Sequence, residues 1–548
     1  MRMIRRLCTA LSVVSLASAP VIQASADTER QSLEELRNTV INLLQGLVDQ
    51  GVLTKDKAEA IVKQAQAKAA ADAAKSAKAD EGAVRVPYVP QVVKDEISKQ
   101  VAEQVKPEVV ASVVQEAKTE KWGVPGALPE WLSRVRVYGD VTFRTQQDLF
   151  SKDNSTQIPD YFSINQAGSI LAAGMNSTLN TTHDTERFRL RARLGVDAQI
   201  SPNITAGIRL SSGALTDPGS ESQNLGTFAD RYTVGIDRAF IRWDSTPAPG
   251  LAGLSGVVGR FADPWYSPTE LIFARDLQFE GVSSTARWVF GDRDADGNDA
   301  DRSHIFGTLG AIPILEVPLA NPENKWLVGA QLGTNLRWDD AEQRLKLAIA
   351  YYDFLHVTGV QNPTPGSTIY NYTAPAFIRY GNSYFDIANS VNNSANLYAL
   401  AAHFRLADVS AGYEINLGDR YMLRLTGEAV RNVGYRRSDV QALTGQNITK
   451  NENKGYVAEF SFGDPLVNRF GRWRAAVGYR YVQSDAVLDA WTDADFRDGG
   501  TNDRGYFIWG DLGVARDTWL RLRYMSANEV DGPTYGLDVI QFDVNTRF

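Results

Sequence analysis

The chain has 548 residues, 43% hydrophobic and 22% charged, with a formal net charge of −8 and a single cysteine. The acidic balance argues against nucleic acid as a partner, and one cysteine supports neither a disulfide framework nor a cysteine metal site. After the first 26 residues no stretch approaches the ~20 apolar residues that a membrane helix requires.

Arg2, Arg5 and Arg6 precede an apolar run from Leu7 to Ala19, and Ala24-Ser25-Ala26 offers a small-x-small cleavage site before Asp27. This pattern predicts a secretory signal peptide over 1–26. Arg5-Arg6 lacks the rest of a twin-arginine signal, which favours the general secretion route. Cys8 lies too early for a lipoprotein cysteine, so the mature chain has no thiol. Cleavage removes three arginines and no acids, moving the charge from −8 to −11.

Residues 27–121 read as helical. Ser32 and Glu35 have capping-box spacing. Leu33, Leu36, Val40, Leu43 and Leu47 follow at steps of three and four, the seam of a short coiled coil. Gly51 ends this helix and Thr54 caps a second with Ala58, Ile61, Val62 and Ala65. Pro87 and Pro90 break the chain before Ile97, Val101 and Val105 resume the pattern. Two readings stand side by side: a periplasmic stalk that oligomerises or faces the cell wall (peptidoglycan), and a helical hairpin packed on itself. Residues 122–134, with Gly123, Pro125, Gly126 and Pro129, read as a linker.

From Val135 the material changes. Of 54 aromatic residues, 51 follow residue 135, and 35 of 41 arginines lie beyond residue 121. The period becomes two. Val135, Val137, Val141 and Phe143 alternate with Arg136, Tyr138, Asp140, Thr142 and Arg144, while Phe188, Leu190, Ala192 and Leu194 alternate with Arg187, Arg189, Arg191 and Arg193. Sixteen strands are expected between 135 and 548, joined alternately by long and mostly short connections. That is the rule for an antiparallel transmembrane β-barrel with external loops and periplasmic turns. Eighteen strands is the alternative, because 356–403 is long enough to hold a hairpin.

The last strand alternates Ile540, Phe542, Val544, Thr546 and Phe548 against Gln541, Asp543, Asn545 and Arg547. It resembles the terminal strand of Gram-negative outer-membrane proteins, whose final Phe helps the barrel-assembly machinery; Thr546 departs from that pattern. Three further segments resemble the bacterial "putative porin" family: Lys325 to Gly333, Ala348 to Phe354, and Gly427 to Tyr435. Ser32 to Gln66 resembles the helical segment of the same family. The resemblance implies a barrel channel in outer-membrane lipid that passes small hydrophilic solutes without energy input. A structural tether between barrel and cell wall, acting through the helical region, is the alternative. Analogy with general porins adds a homotrimer.

On the lipid face, arginines near the midplane would cost ~2–4 kcal/mol each, so the ladder Arg187, Arg189, Arg191 and Arg193 must face the lumen. Arg136, Arg144, Arg209, Arg238, Arg242, Arg521 and Arg523 share that parity. Charged rings set ion preference in pores, so these residues suggest weak anion preference; pairing with lumen acids that merely braces the wall is the other reading. Most acids of the region fall in loops, where screening over ~8 Å should weaken them. Segment 263–276, with Asp263, Glu270 and Asp276, is the expected constriction loop, its acids opposing the arginine wall. Asp292, Asp294 and Asp296 resemble half of a Ca2+ loop, although Ser303 stands where an EF-hand needs Glu. The four histidines fall in loops or on separate strands and no hydrolase, P-loop or metalloprotease motif occurs, so no enzyme is expected.

Overall fold

The computed structural model describes residues 133–548, apart from 246–250, 291–301, 319–322, 339–341, 392–393 and 419, together with Lys63 and Ala67, both helical. The signal peptide, nearly all of the helical region, linker residues 122–132 and the Asp292, Asp294, Asp296 cluster lie outside the described residues.

Among the described residues, sixteen strands form the wall. They are β1 Val135–Phe150, β2 Thr185–Ser201, β3 Ile204–Ser212, β4 Val234–Asp244, β5 Leu251–Ala262, β6 Gln278–Phe290, β7 Ser303–Leu315 and β8 Lys325–Trp338. The rest are β9 Gln343–Leu355, β10 Phe404–Leu417, β11 Tyr421–Asn432, β12 Lys454–Gly463, β13 Trp473–Val482, β14 Asp503–Ala515, β15 Thr518–Glu529 and β16 Leu537–Arg547. Each pairs antiparallel with its sequence neighbours, and β1 closes on β16 with Phe143 opposite Val544 and Thr145 opposite Phe542. Closure leaves no sheet edge, so every strand finds partners on both sides. Gln223–Asn224 extends the wall beside β2 above the end of β3.

The alternation in sequence sorts two environments. One face of every strand puts apolar side chains outside: Val137 is 60% exposed, Leu309 64%, Ile349 58% and Leu522 57%. The other parity buries polar groups, among them Thr142, Gln146 and Asp148 on β1, Gln331 and Asn335 on β8, and Gln541, Asp543 and Asn545 on β16. A sandwich would bury the apolar parity. Here it meets an apolar surrounding, and the polar parity lines a lumen. Aromatic clusters mark both rims, Tyr421, Phe462 and Trp473 at one end, and Tyr456, Tyr479 and Tyr481 at the other. The Phe548 ring lies over Gly139, where a methyl group would come within 2.6 Å of it. The glycine on the apolar face of β1 makes room for that ring.

Long connections gather at one end. Loop 1 (151–184), loop 2 (213–233), loop 3 (263–277), loop 5 (356–403) and loop 7 (483–502) belong to it. Loops 3, 5 and 7 turn into the barrel and make a second, apolar core there. Leu271, Ile272 and Phe273, then Tyr384, Phe385 and Ile387, then Val487, Leu488 and Phe496 pack with wall residues Phe279, Tyr352, Phe354, Phe404 and Leu406. Each such side chain contributes roughly 1.5–3 kcal/mol when fully buried. The loops are therefore held as firmly as a domain core. Loop 5 does contain a hairpin, Tyr384–Asp386 paired with Tyr398–Leu400. It forms its own two-stranded sheet rather than joining the wall, which corrects the eighteen-strand alternative.

Candidate functional site

β2 sends its arginines inward, and each meets acids. Arg187 pairs with Asp148 of β1 and, at 2.7 Å, with Asp498 of loop 7. Arg189 lies 3.7 Å from Asp495 and donates to Ser220 at 3.1 Å. Arg191 contacts Asp276 of loop 3 at 3.2 Å and Asp140 at 3.4 Å. Arg193 reaches Asp140 at 2.7 Å, Glu221 of loop 2 at 3.2 Å and Asp276 at 3.5 Å. Neighbouring strands continue the scheme. Arg144 holds Asp543 at 2.7 Å and Asp495 at 2.8 Å, and Arg523 holds Asp493 at 3.3 Å and Asp495 at 3.4 Å. Arg209 pairs with Asp237 and with Glu221, and Arg521 takes both oxygens of Asp511 at 2.6 and 2.8 Å.

The remaining arginines of that parity differ. Arg238 donates to Gln278 at 2.8 Å, Arg242 pairs with Asp244 in a half-exposed position, and Arg136 lies 5.6 Å from the Tyr138 ring centre. The loop acids are thus not remote and screened, as the sequence suggested. They fold onto the guanidiniums, because an arginine buried in a barrel needs an anion more than a surface carboxylate needs water. Asp495 shows the outcome. Burial works against its charge, but Arg144, Arg523 and Arg189 hold its carboxyl well below the usual range. Glu221 goes the other way: burial first, then the negative charge of Asp276, pushes it up to about 8.

Loop 3 reaches from Arg191 of β2 to Glu428 of β11, and its three acids do different things. Asp263 is a turn former: it accepts from the Trp265 amide at 2.9 Å and the Ser267 hydroxyl at 2.7 Å, and burial raises it to about 6. Glu270 accepts from the Arg275 amide at 3.0 Å, and burial raises it too. Only Asp276 faces the ladder, and it touches the arginines instead of opposing them across open space.

The crossing is anchored at both ends. Trp265 stacks against Phe273 and meets Phe279 and Tyr352 edge-on. Its ring sits on Gly310 and Gly329 of the wall, where a methyl at Gly329 would approach to 2.5 Å. At the far side Thr269 donates to Glu428 of β11. Arg480 of β13 joins the parts. It binds Asp503 of β14 at 2.8 Å, Thr492 and the Gly500 carbonyl of loop 7 at 2.9 and 3.1 Å, and the Glu270 carbonyl at 3.3 Å. Arg480 and the loop 7 acids Asp493, Asp495 and Asp498 were not among the candidates from sequence. Parity on β13 marks Arg480, opposite Val477 and Tyr479; nothing local marks the acids.

On the turn side of loop 3 the charge is different. Thr285 and Arg287 of β6, His304, Phe306 and Thr308 of β7, Asn335 and Arg337 of β8, and Arg344 and Lys346 of β9 enclose a cavity of about 430 Å³ with Pro264 to Ser267. A second cavity of about 240 Å³ shares Tyr266, Arg344 and Lys346 and adds Glu414 and Arg424. The Lys346 ammonium lies 3.9 Å from the centre of the Tyr266 ring. No group of three or more metal-ligating side chains occurs among the described residues.

The model of the family described as putative porin matches residues 37–548. No curated protein matches the chain. Among solved structures it is similar to the outer-membrane channel DcaP of Acinetobacter baumannii, at 11% identity and a TM-score of 0.39 over 76% of this chain and 97% of that one. It is also similar to Pseudomonas putida OprB in a high-pH structure, at 10% identity and a TM-score of 0.42 over 78% and 97%. The anion-selective porin of Comamonas acidovorans shows 8% identity and a TM-score of 0.38 over 76% and 99%. With the family model spanning nearly the whole chain and a closed barrel of inverted polarity behind it, the chain belongs to the putative porin family, as a Gram-negative outer-membrane β-barrel.

Proposed function

We propose that the barrel passes small hydrophilic solutes and prefers anions weakly, and that the preference arises on the periplasmic side of loop 3. The carrying observation is the charge of that chamber: Arg287, Arg344 and Lys346 line the larger cavity, and Arg424 and Glu414 line the adjoining one together with Arg344 and Lys346. Cations lining a narrow, low-dielectric passage raise the local concentration of anions. In this reading Arg187, Arg189, Arg191 and Arg193 brace the wall, and their acids from loops 2, 3 and 7 set its width. The same reading takes 1–26 as a signal peptide, 27–121 as a periplasmic helical region and 135–548 as the barrel, assembled as a homotrimer and inserted through its last strand.

Purified protein in planar bilayers is expected to give stepwise conductance and a reversal potential on the anion side under a salt gradient. Well-folded protein that inserts without steps would refute the channel, and cation preference would refute the selectivity. Deleting 27–121 leaves conductance intact in this reading. If the intact protein inserts without steps and the deletion releases the barrel from the cell wall, the tether takes its place.

A further inference from the structure

We infer that the chamber under loop 3 holds a saturable subsite for a small multivalent oxyanion, built on Lys346, Arg287 and Arg344. The inference deepens the proposed anion preference and rests on it. The chamber differs from the ladder in how its cations are partnered. Among the described residues neither Lys346 nor Arg287 has a carboxylate in ion-pair contact. Arg344 has one long contact, 3.7 Å to Glu414, whose other oxygen is held by Arg424 at 2.7 Å. The Arg344 Nε donates to Asn335 at 2.9 Å, which fixes the plane of the guanidinium on the β8–β9 wall.

Lys346 is placed by rings instead of by an acid. Its ammonium stands over Tyr266, 3.9 Å from the centroid, with the Phe306 ring at 5.2 Å. A ring face steadies a cation without neutralising it. Tyr266 cannot drift, because Gln331 clamps its backbone: the Tyr266 amide donates to the Gln331 side chain at 2.7 Å, and the Gln331 amide donates back to the Tyr266 carbonyl at 3.1 Å. The Lys346 ammonium, paired with no carboxylate among the described residues, and the guanidiniums of Arg287 and Arg344 therefore border one cavity. Guanidinium suits the planar, paired acceptors of carboxylate and phosphate. A cavity of about 430 Å³ admits such an anion with part of its water. Thr285, Thr308 and His304 supply further polar groups around it.

The test is calorimetric titration of the full-length protein in detergent with inorganic phosphate and, separately, with malonate, alongside chloride currents in bilayers. Saturable binding is expected for wild type. The double variant Lys346→Gln with Arg287→Gln should raise the half-saturating concentration about tenfold or more, while Lys346→Arg keeps it. Phosphate bound and malonate not identifies a phosphate site, and the reverse a carboxylate site. Wild type that binds neither, or a double variant that binds as wild type does, overturns the subsite. Chloride currents that retain unitary steps in the double variant show that it is folded. Absence of steps in wild type counts against the channel reading, while calorimetry still decides the subsite.

Discussion

The wall around β1, β2 and β16 and the wall around β6 to β9 carry the same residue type on the same parity, with opposite electrostatic results. Arg144, Arg187, Arg191 and Arg193 each touch one or more carboxylates, some from the wall and some from loops that travel far to reach them. Across the lumen, Lys346 has rings and Arg344 has an amide and one stretched contact. An inward arginine is thus only half of a statement about selectivity. The other half is whether a loop acid arrives to neutralise it, and two of the loops that arrive, loops 3 and 7, are held by the apolar core they share.

The sharpest way to break that contrast is Arg480→Ala. Arg480 is fully buried at the point where β13, β14, loop 3 and loop 7 meet. Its loss leaves Asp503 as an uncompensated buried charge, at about 3–5 kcal/mol. Loop 7 should detach and withdraw its acids from the ladder. Limited proteolysis should then cut within 485–502, and single-channel conductance should rise. A resistant loop 7 with unchanged conductance would remove the clamp from the account.

Asp495→Asn is the next largest. It keeps an acceptor for Arg144 but removes the charge shared by Arg144, Arg189 and Arg523. The expected cost to loop 7 docking is about 1–3 kcal/mol, and the ladder side of the lumen gains net positive charge. Reversal potentials should move further toward anions. A shift toward cations would show that the ladder's acids do not govern its field.

Much of this architecture was legible beforehand. Period-two alternation gives both the strands and their facing, since each side chain meets either lipid or lumen. Arg287, Arg344 and Lys346 could have been found by the same parity, opposite Trp288 and Leu347. What sequence could not show is where a loop goes. Asp493 and Asp498 read as solvent-screened acids until the packing of Val487, Leu488 and Phe496 carries loop 7 inward. The sequence leads one to expect the acids of 263–276 set against the arginine wall, yet Asp263 and Glu270 serve the loop's own turns. Their role depends on a backbone path that local pattern does not encode.

A milder perturbation uses pH. Asp489 of loop 7 accepts from the Tyr384 hydroxyl of loop 5 at 2.8 Å. Burial raises its carboxyl to about 7, although Tyr384 and Arg379 act against the shift. A carboxyl raised in the folded state favours folding most when protonated. That contribution is complete below the ordinary carboxylate range and is lost as pH rises through about 7. Loop 5 should therefore exchange amide hydrogens a few-fold faster at pH 8 than at pH 5 after correction for intrinsic rates. Asp489→Asn should flatten the dependence. An unchanged slope in the variant would assign the effect to another group.

The smallest expected effect tests the other side of the comparison. Tyr266→Leu removes the ring under Lys346 but leaves the backbone clamp to Gln331, which uses main-chain atoms. Without the ring, the ammonium is free to turn toward Glu414, which borders the adjoining cavity. Losing an exposed-type cation–π contact of about 0.5–1 kcal/mol corresponds to a two- to five-fold weaker hold on phosphate. Tyr266→Phe keeps the ring and should bind as wild type does, although it loses the hydroxyl that sits over Gly412. Calorimetric titration of both variants separates the possibilities. Equal affinity in Tyr266→Leu would mean that the ring only fills space. Equal loss in both variants would transfer the role from the ring to the hydroxyl, and Lys346 would then be held by the chamber's shape instead of by the face of an aromatic ring.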